Sequence, residues 1–315
     1  MNIGIDLSGT NIAAAIVDEH GQIVRRTSVS TNAQGGAKGI IDGLVSVCDY
    51  LLLDAKNAPQ SIGIGVPGIA NAETGEVIYT PNLPLSRINI TRELKNKYKC
   101  PVILGNDADC ATVGEAFFGG AKGTKDVAFI TLGTGVGGGV LVGGKLLGGV
   151  NGAAGELGHM VTVAGGRTCG CGRQGCWERY ASAPGLIATA VELMGTYNNS
   201  ALWKLTGGLA EKVDVRIVFE AFRAGDACAK SIVAGYIRDL GIGALNIINI
   251  FQPELLCIGG GISDAWDCIE KPLIEFVDAG RFSRTMLNVP QTRIVRAALG
   301  NDSGIIGAAV LHLAG

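Results

Sequence analysis

One pattern occurs twice in this chain of 315 residues. Residues 5–17 and 130–142 each read as an apolar strand, a Gly-Thr turn and a second apolar strand, once one residue is skipped. The two copies lie much farther apart than the roughly 20–50 residues of solenoid repeats. The spacing therefore predicts two similar α/β domains. A ligand would bind in the cleft between them, since pockets favour domain interfaces.

The apolar patterns around the two copies alternate between strand and helix. Strands are predicted at 2–7, 11–17, 22–29, 61–66, 101–105, 254–262 and 292–298. Helices are predicted at 36–57, 89–98, 108–118, 183–195, 214–223, 226–250, 263–278 and 302–313. Such alternation is typical of α/β layers. We expect the final helix to pack back on the N-terminal domain.

Composition argues against several functional classes. Lys and Arg number 26 against 28 Asp and Glu, which gives a net charge of −2 and no electrostatic footprint for nucleic acid. The N-terminus lacks the basic and apolar regions of a signal peptide, and no uninterrupted apolar run reaches the roughly 18 residues of a membrane helix. Most of the nine cysteines stand singly in apolar segments, as in reduced intracellular proteins. We therefore predict a soluble cytoplasmic protein that binds neither nucleic acid nor membranes.

A metal site is predicted in the middle of the chain. His159, Cys169, Cys171 and Cys176 supply one imidazole and three thiols, the nitrogen and sulfur donors that zinc prefers in closed tetrahedral sites. Glycines between the cysteines allow a short backbone to fold around an ion. The alternative is that these cysteines pack as small apolar side chains in a core, but three so close together among glycines are unlike a core segment. With four protein ligands the zinc would be structural, because no position stays open for water.

Two carboxylates, Glu156 and Glu178, flank this cluster. If four ligands satisfy the ion, neither carboxylate is needed for it, and carboxylates accept hydroxyl hydrogen bonds strongly. Two acids and a histidine on one loop therefore suit a polyol. The alternative is that both are solvated surface charges, which is the usual state of Glu.

The two Gly-Thr turns are candidate phosphate sites. Backbone N–H groups at a glycine turn, with a threonine hydroxyl beside them, form a small anion cradle, and one turn from each domain would hold a polyphosphate from two sides. Each turn alone is better explained as an ordinary β-hairpin, but the repetition favours phosphate binding. The residues assigned to this site are Gly9, Thr10, Asn11, Gly133, Thr134 and Gly135. Asp6, just before the first turn, is expected to orient Mg²⁺ or its water shell.

Two further glycine motifs bear on the nucleotide. Gly133, Gly135 and Gly138 match G-x-G-x-x-G, but they run into another strand and not into the helix that a dinucleotide site requires. Gly260 and Gly261 end a predicted strand without side chains, so that a flat base would lie against backbone there. We assign these two glycines to adenine and ribose, although a plain strand-to-helix connection explains them equally well.

Asp107 is the candidate catalytic base. It follows the predicted strand 101–105, and residues beyond a strand's carboxyl end face the ligand crevice of open α/β sheets. An aspartate there would accept the proton of an attacking hydroxyl, as the catalytic-loop aspartate of protein kinases does. Its alternative role is that of N-cap of the next helix, and the two roles are compatible.

Four motifs, in this order, resemble the ROK family of bacterial sugar kinases and repressors. They are Asp-Leu-Ser-Gly-Thr at 6–10, Leu-Gly-Thr-Gly-Val-Gly-Gly-Gly at 132–139, Glu-Leu-Gly-His at 156–159 and Cys-Gly-Cys-Gly-Arg-Gln-Gly-Cys-Trp-Glu at 169–178. The resemblance covers essentially the whole chain. It implies an α/β protein of actin-like ATPase (ribonuclease H-like) fold, with two duplicated domains that flank a cleft. The implied domains are residues 1–106 plus 302–315, and residues 107–301 with the zinc loop 159–178.

The same resemblance implies roles for individual residues. Asp107 would be the catalytic base, and zinc would be held by His159, Cys169, Cys171 and Cys176. The sugar would be bound by Asn106, Asp107, Glu156, His159 and Glu178, with Gly68 lining the floor. Ser8 departs from the family pattern, which usually has glycine there.

The functional prediction is an ATP-dependent hexose kinase that phosphorylates the 6-hydroxyl of glucose, with Mg²⁺ as cofactor. Kinases for N-acetylglucosamine, N-acetylmannosamine, mannose, fructose or allose stay open, because epimers differ by the placement of one hydroxyl. The rival class is a sugar-binding regulator of the same family. Family repressors carry an added N-terminal helix-turn-helix, for which a first phosphate strand at residue 2 leaves no room. The resemblance also implies a homodimer.

Overall fold

Three β-sheets organise the chain in the computed structural model, which describes residues 1–53, 55, 57–286 and 288–315. The first part contains strands β1 (Asn2–Leu7), β2 (Asn11–Val17), β3 (Ile23–Ser30), β4 (Ser61–Val66), β5 (Ile69–Asn71), β6 (Glu76–Tyr79), β7 (Ile88–Asn89) and β8 (Val102–Asn106), and helices α1 (Gly36–Leu52), α2 (Thr91–Tyr98) and α3 (Asp107–Phe118). The second part contains strands β9 (Val127–Leu132), β10 (Val136–Val142), β11 (Lys145–Leu146), β12 (Leu255–Gly259) and β13 (Arg293–Arg296). Its helices are α4 (Glu178–Ala181), α5 (Ala183–Met194), α6 (Ala201–Leu205), α7 (Val215–Arg223), α8 (Ala227–Phe251), α9 (Trp266–Gly280) and α10 (Ser303–Ala309).

The first sheet has the strand order β3–β2–β1–β4–β8. β1 pairs antiparallel with β2 and parallel with β4, and β4 pairs parallel with β8. The register places Asp6 beside Gly65, and Val66 beside Asn106. The carboxyl ends of β1, β4 and β8 therefore meet at one edge of the sheet. The small antiparallel sheet β5–β6–β7 follows β4 in the chain.

The second five-stranded sheet repeats the order of the first. Its strands lie in the order β11–β10–β9–β12–β13. In both sheets the earliest strand is central, with the second and third strands on one side and the fourth and fifth on the other. β10 and β11 pair antiparallel and β12 and β13 pair parallel, as their counterparts do in the first sheet. The duplication that the two Gly-Thr patterns predict is confirmed in this topology.

The residues group into two compact units. Unit 1 comprises Met1–Phe129, Gly138–Gly155 and Ala297–Gly315, and unit 2 comprises Ile130–Gly137 and Glu156–Arg296. The units group residues that lie close together in space, and they do not define domain boundaries along the chain. The predicted domain boundaries, at residues 106/107 and 301/302, therefore stay a prediction.

In unit 1, apolar residues on one face of β1 build the main core. Ile3, Ile5 and Leu7 are fully buried, because alternate residues of a strand share a face. The residues of α1 that join this core are Ile40, Leu44, Val47, Cys48 and Leu51. Their three- and four-residue spacing is the one that predicted an amphipathic helix.

The opposite face of the same sheet is covered by α10. A Cβ atom on Gly4 would lie 1.9 Å from the carbonyl oxygen of Ile305, and one on Gly63 would lie 1.7 Å from that of Ala308. The helix backbone therefore rests directly on the strand backbone, and only glycine fits at these two positions. The expectation that the last helix returns to the N-terminal part of the chain is confirmed.

The C-terminal ends of three predicted elements differ from the structure by three or more residues. Helix 36–57 ends at Leu52, and positions 54 and 56 of that prediction lie outside the described residues. Strand 254–262 stops at Gly259, because Gly260 has a φ of +84° that extended backbone does not adopt. The final helix, predicted at 302–313, ends at Ala309 and is followed by a 3₁₀ turn at Leu311–Leu313.

Helix α8 is the central helix of unit 2. By length and composition it would suffice to cross a membrane, but charged residues such as Lys230 and Asp239 interrupt its sequence. Its buried face packs against α5, α7 and α9. Trp177 is fully buried beside it and donates its indole N–H to the carbonyl of Asp239 at 2.9 Å. Packing in the core of unit 2 thus accounts for the apolar character of α8.

We predict that Gly63→Ala lowers the free energy of unfolding by about 1–3 kcal/mol, because the added methyl group forces α10 away from β4. Gly235→Ala in α8 is the matched control. No atom of the described residues lies within 4 Å of a Cβ there, and alanine in a helix interior is favoured by roughly 0.5–1 kcal/mol. Thermal unfolding of both variants checks this expectation. A Gly63→Ala protein as stable as the parent chain would contradict the close packing of α10.

Candidate active site

Asn106 organises the edge of the first sheet where the strand ends meet. Its Oδ1 accepts the N–H groups of Ala108 at 2.8 Å and Asp109 at 3.3 Å, which makes it the N-cap of α3. Its Nδ2 donates to the carbonyl of Gly68 at 2.8 Å. The capping role considered for Asp107 therefore belongs to Asn106, and Asp107 is the first residue of the helix.

Asp6 and Asp107 are interacting carboxylates at this edge. Burial raises the pKa of Asp6, and the negative charge of Asp107 raises it further. Burial also raises the pKa of Asp107, against the opposing effect of the Ala108 N–H that its Oδ1 accepts at 2.9 Å. Asp107 has many protein atoms around it but is exposed to solvent. Water therefore screens the charge of Asp107 better than the charge of the half-buried Asp6. A cation beside the pair would relieve their repulsion.

The first Gly-Thr turn is closed by Ser8. Its N–H and its Oγ both donate to the carbonyl of Asn11 at 2.9 Å, and its Oγ accepts the Asn11 N–H at 3.1 Å. Ser8 has no positive φ, so serine occupies the usual glycine position without backbone strain. Gly9 and Thr10 are exposed at the tip of the turn. The turn therefore presents backbone to solvent at the place where a phosphate is predicted.

The second Gly-Thr turn, residues 132–136, is held by hydrogen bonds within the turn and by bonds from Glu178 and Ala183. The Gly133 N–H donates to the Gly135 carbonyl at 3.0 Å and closes the turn. The Gly133 carbonyl accepts the N–H of Ala183 at 2.8 Å, and the N–H of Val136 donates to Oε2 of Glu178 at 3.1 Å. Thr134 is exposed at the tip. Both turns thus present an exposed threonine on a hydrogen-bonded base.

The four predicted metal ligands converge in unit 2. One ligand atom from each of His159, Cys169, Cys171 and Cys176 lies within 4.8 Å of all the others. The Sγ of Cys169 is 3.6 Å from Nδ1 of His159, and the Sγ atoms of Cys171 and Cys176 are 3.6 Å apart. That separation is too long for a disulfide. A complete nitrogen and sulfur donor set at one point fits a tetrahedral metal ion, and it disfavours the alternative of core packing.

Glycine geometry shapes the loop around this cluster. Gly172 and Gly175 have φ values of +86° and +79°, and a Cβ on Gly175 would lie 1.7 Å from the carbonyl oxygen of Val163. These are the turns for which the sequence suggested glycine.

Glu156 and His159 lie on one 3₁₀ turn beside the cluster. Oε2 of Glu156 is 3.9 Å from Nε2 of His159, whereas Nδ1 of the same ring faces Cys169. One ring nitrogen therefore lies at the metal cluster and the other beside a carboxylate, which is how an oriented metal ligand reaches a second partner. Glu178 is the other predicted polyol ligand, and its carboxylate lies between Cys169 and the second turn.

Of the three glycines Gly68, Gly260 and Gly261 assigned to ligands, the first two lie against backbone and the third does not. A Cβ on Gly68 would lie 2.3 Å from the carbonyl oxygen of Tyr79, and one on Gly260 would lie 2.4 Å from the backbone of Leu132. Gly260 therefore has a packing role against β9 in addition to any role toward adenine. Gly261 has no described atom within 4 Å of a Cβ position, so open space lies beside it.

The predicted residues fall into two groups. Unit 1 contains Asp6, Gly9, Thr10, Asn11, Gly68, Asn106 and Asp107, and unit 2 contains Gly133, Thr134, Gly135, Glu156, His159, Cys169, Cys171, Cys176, Glu178, Gly260 and Gly261. Within unit 1 the strand ends bring Asp6, Asn106 and Asp107 to one edge. Within unit 2 Glu178 lies against both the metal cluster and the second turn.

A family model identifies the chain. The model described as ROK family matches residues 2–314. This chain belongs to the ROK family. The sheet order β3–β2–β1–β4–β8 and its repetition are those of the actin-like ATPase fold, which confirms the predicted fold class.

Individual relatives resemble the chain over nearly their whole length. A glucokinase from Halalkalibacterium halodurans is 37% identical over 309 residues, which are 97% of this chain and 92% of the relative. A ROK family glucokinase from Streptomyces griseus, solved in complex with glucose and AMPPNP, matches with a TM-score of 0.80 and 33% identity over 98% of both chains. A ROK hexokinase from Thermus thermophilus matches with a TM-score of 0.79 and 30% identity over 98% of this chain and 97% of the other.

The sequence signals some interactions at the site and not others. The reciprocal bonds of Ser8 follow a known serine turn pattern, so they could have been predicted from its hydroxyl. The bond from Ala183 to Gly133 joins distant backbone groups, and no side-chain pattern announces it. Arg167 anchors the metal loop by donating to the carbonyls of Arg179 and Gly185 at 3.2 and 3.1 Å, which also depends on tertiary placement alone.

We predict that Asp6→Asn raises the melting temperature at neutral pH in the absence of nucleotide and divalent cations. The raised pKa of Asp6 means that the folded chain holds its proton to higher pH than the unfolded chain. Its ionisation therefore lowers stability as pH rises through the raised pKa, and the loss persists above it. Asparagine carries no charge and removes this loss.

Melting curves from pH 4 to pH 8 test the prediction, and the gain should shrink toward pH 4. Asp42→Asn is the matched control, because Asp42 is an exposed partner of Lys38 on α1. The same gain in both variants, or no gain in Asp6→Asn, would show that Asp6 carries no electrostatic strain.

Proposed function

We propose that this chain is an ATP-dependent hexose kinase that phosphorylates the 6-hydroxyl of glucose. The observation that carries the proposal is the full-length likeness to a ROK family glucokinase solved with glucose and AMPPNP. The chain also has acidic residues at the carboxyl ends of parallel strands and two matching Gly-Thr turns. Phosphoryl transfer needs this combination, because it depends on positioning and charge neutralisation.

Asp107 acts as the general base in this proposal. Asn106 fixes the start of α3 and thereby the position of Asp107, and it also holds the carbonyl of Gly68. The raised pKa of Asp107 brings the carboxylate closer to the range in which a general base is effective. Asp107 accepts the proton of the attacking hydroxyl as the bond to phosphorus forms.

The sugar is held by the polar groups that the sequence predicts for it. Asn106 and Asp107 contact hydroxyls, Gly68 lines the floor, and Glu156, His159 and Glu178 bind the remaining hydroxyls. The support for this assignment is the convergence of carboxylates and an imidazole in unit 2. Carboxylates accept hydroxyl hydrogen bonds strongly and in fixed directions, so such a set orients one ring face.

The nucleotide phosphates lie at the two Gly-Thr tips. The residues around them are Gly9, Thr10, Asn11, Gly133, Thr134 and Gly135. The donors are the backbone N–H groups of Gly9, Thr10, Thr134 and Gly135 and the two threonine hydroxyls, because the N–H groups of Asn11 and Gly133 are bonded within their own turns. Asp6 would orient Mg²⁺ or its water shell, and the ion would neutralise phosphate charge. Adenine and ribose lie beside Gly260 and Gly261, where the side of Gly261 is open.

A structural zinc completes the site in unit 2. The donor set of His159, Cys169, Cys171 and Cys176 leaves no ligand position for water. When bound, zinc supplies a fixed centre that orients the loop. The imidazole of His159, Glu156 and Glu178 then keep their places beside it.

Other functions in the same family remain second candidates. Kinases for N-acetylglucosamine, N-acetylmannosamine, mannose, fructose or allose share this arrangement, and so does a sugar-binding regulator without kinase activity. ADP release measured across a panel of these hexoses separates them, because only the preferred substrate combines high kcat with low KM. We place the enzyme in the cytoplasm as a homodimer that supplies hexose 6-phosphate to glycolysis. Absence of ADP release with every sugar would favour the regulator.

We predict that Asp107→Asn lowers kcat by roughly 10²–10⁴, the usual contribution of a general base. Asparagine keeps the oxygen that accepts the Ala108 N–H, so glucose affinity should stay close to that of the parent chain. Calorimetric glucose binding and a coupled ADP assay measure the two quantities. Near-normal turnover in this variant would remove Asp107 from the role of base.

We predict that Cys171→Ser lowers zinc content and glucose affinity together, because one of four thiolate or imidazole ligands is lost. Elemental analysis gives the zinc content and calorimetry gives the affinity. Cys100→Ser is the control, since Cys100 lies outside the cluster and should keep both quantities. Unchanged glucose affinity in zinc-depleted protein would show that the loop does not organise the sugar site.

A further inference from the structure

The segment that follows the last metal ligand holds both ends of the second turn. Glu178, two residues after Cys176, accepts the N–H of Val136 at 3.1 Å. Ala183, at the start of α5, donates its N–H to the carbonyl of Gly133 at 2.8 Å. The turn is therefore fixed to residues 178–183 through Gly133 and Val136.

Glu178 reaches from the turn to the metal cluster with a single carboxylate. Its Oε2 would lie 2.5 Å from a Cβ on Gly135, which shows how closely it fits against the turn. Its Oε1 lies 3.7 Å from Sγ of Cys169. Glycine at position 135 is needed for this approach, because any side chain there would displace the carboxylate.

Trp177, in the segment between the metal cluster and the second turn, is held firmly in place. Trp177, between Cys176 and Glu178, is fully buried, and its backbone N–H donates to the carbonyl of Met160 at 2.7 Å. Its indole N–H is held by Asp239. A buried aromatic residue with both N–H groups bonded does not absorb a displacement of its neighbours, since packed interiors have few voids. Trp177 thus holds the backbone of this segment in place, and the direct contact between the Cys169 thiol and Oε1 of Glu178 is the route by which a change at the cluster reaches the carboxylate.

We propose that Glu178 is a positioning residue for the nucleotide, and that it makes nucleotide affinity depend on the metal ion of the cluster. The inference rests on the proposed function, because it takes the second turn as a phosphate site. In the metal-bound protein Glu178 holds the turn with its N–H groups directed at the phosphates. Without the ion, the thiol of Cys169 and the carboxylate of Glu178 beside it move, the bond from Val136 to Glu178 is lost and the cradle loosens.

The first experiment measures binding of Mg-ADP to sugar-free protein by calorimetry. Glu178→Ala should raise the Kd about tenfold, the effect of losing one hydrogen bond to a charged group. Glu178→Gln should stay within about threefold of the parent chain, because the amide oxygen still accepts the Val136 N–H. A residue that serves only the sugar would leave the ADP affinity unchanged in both variants, and that result would overturn the inference.

Glu192→Ala is the matched control. Glu192 lies on α5, and its carboxylate accepts Nη2 of Arg167 at 2.8 Å, so this variant also removes a carboxylate that braces the metal loop. It should bind ADP like the parent chain. Equal weakening by Glu192→Ala and Glu178→Ala would indicate general loosening of the loop and would contradict a specific role for Glu178.

The second experiment tests the dependence on the metal ion by a double-mutant cycle. Cys171→Ser should raise the Kd for ADP about three- to tenfold in the parent chain and less than twofold in Glu178→Ala, since coupled changes are not additive. Equal effects of Cys171→Ser in both backgrounds would overturn the coupling. Removal of metal by a chelator provides the same comparison if a substituted chain fails to fold.

The two proposals fail in different ways. A parent chain that binds ADP with the predicted dependence on Glu178 and metal, but phosphorylates no hexose, would overturn the proposed function and support this inference. A parent chain that phosphorylates glucose, with an ADP affinity indifferent to Glu178 and to metal, would overturn this inference alone.

Discussion

Parallel pairing of β1, β4 and β8 in a fixed register is the constraint on which the site in unit 1 depends. It sets Asp6 beside Gly65 and Asn106 beside Val66, so that one edge collects the polar residues that follow three separate strands. A shift of register by one residue would turn these side chains to the other face. The side-chain amide of Asn106 bonds the first turn of α3 and the carbonyl of Gly68. Asp107 therefore does not cap the helix, and its carboxylate lies at the first helical position.

The polar side chains of unit 2 are positioned by contacts other than strand pairing. Its polar groups stand on a glycine-rich loop that has little regular structure, and a loop of this kind depends on cross-links. The bonds of Arg167 to the carbonyls of Arg179 and Gly185 supply one cross-link, and the side chains of His159 and three cysteines converge at one point of the same loop. Strand pairing therefore positions the polar residues of unit 1, whereas hydrogen bonds from side chains to backbone groups position those of unit 2.

Sequence reasoning predicted the elements well where local patterns decide them. The apolar spacing of α1 and the alternation in β1 reflect burial that the chain itself encodes. The donor set of the metal cluster could also be predicted, because the residue types alone define it. The N-cap of α3 was given to Asp107 as an alternative, although both Asn106 and Asp107 are good caps, and only the position of the first helical turn decides between them. The contact of Glu178 with Val136 joins residues far apart in sequence, and no local signal encodes it.

The direct contact of α10 with Gly4 and Gly63 has a consequence for biosynthesis. The strands of the first sheet leave the ribosome early, whereas the helix that covers one of their faces is translated after all of unit 2. Until then the nascent sheet exposes backbone and apolar surface, the condition under which growing chains aggregate. We therefore expect the growing chain to need chaperones, and chains that end before Ser303 to stay sensitive to proteases.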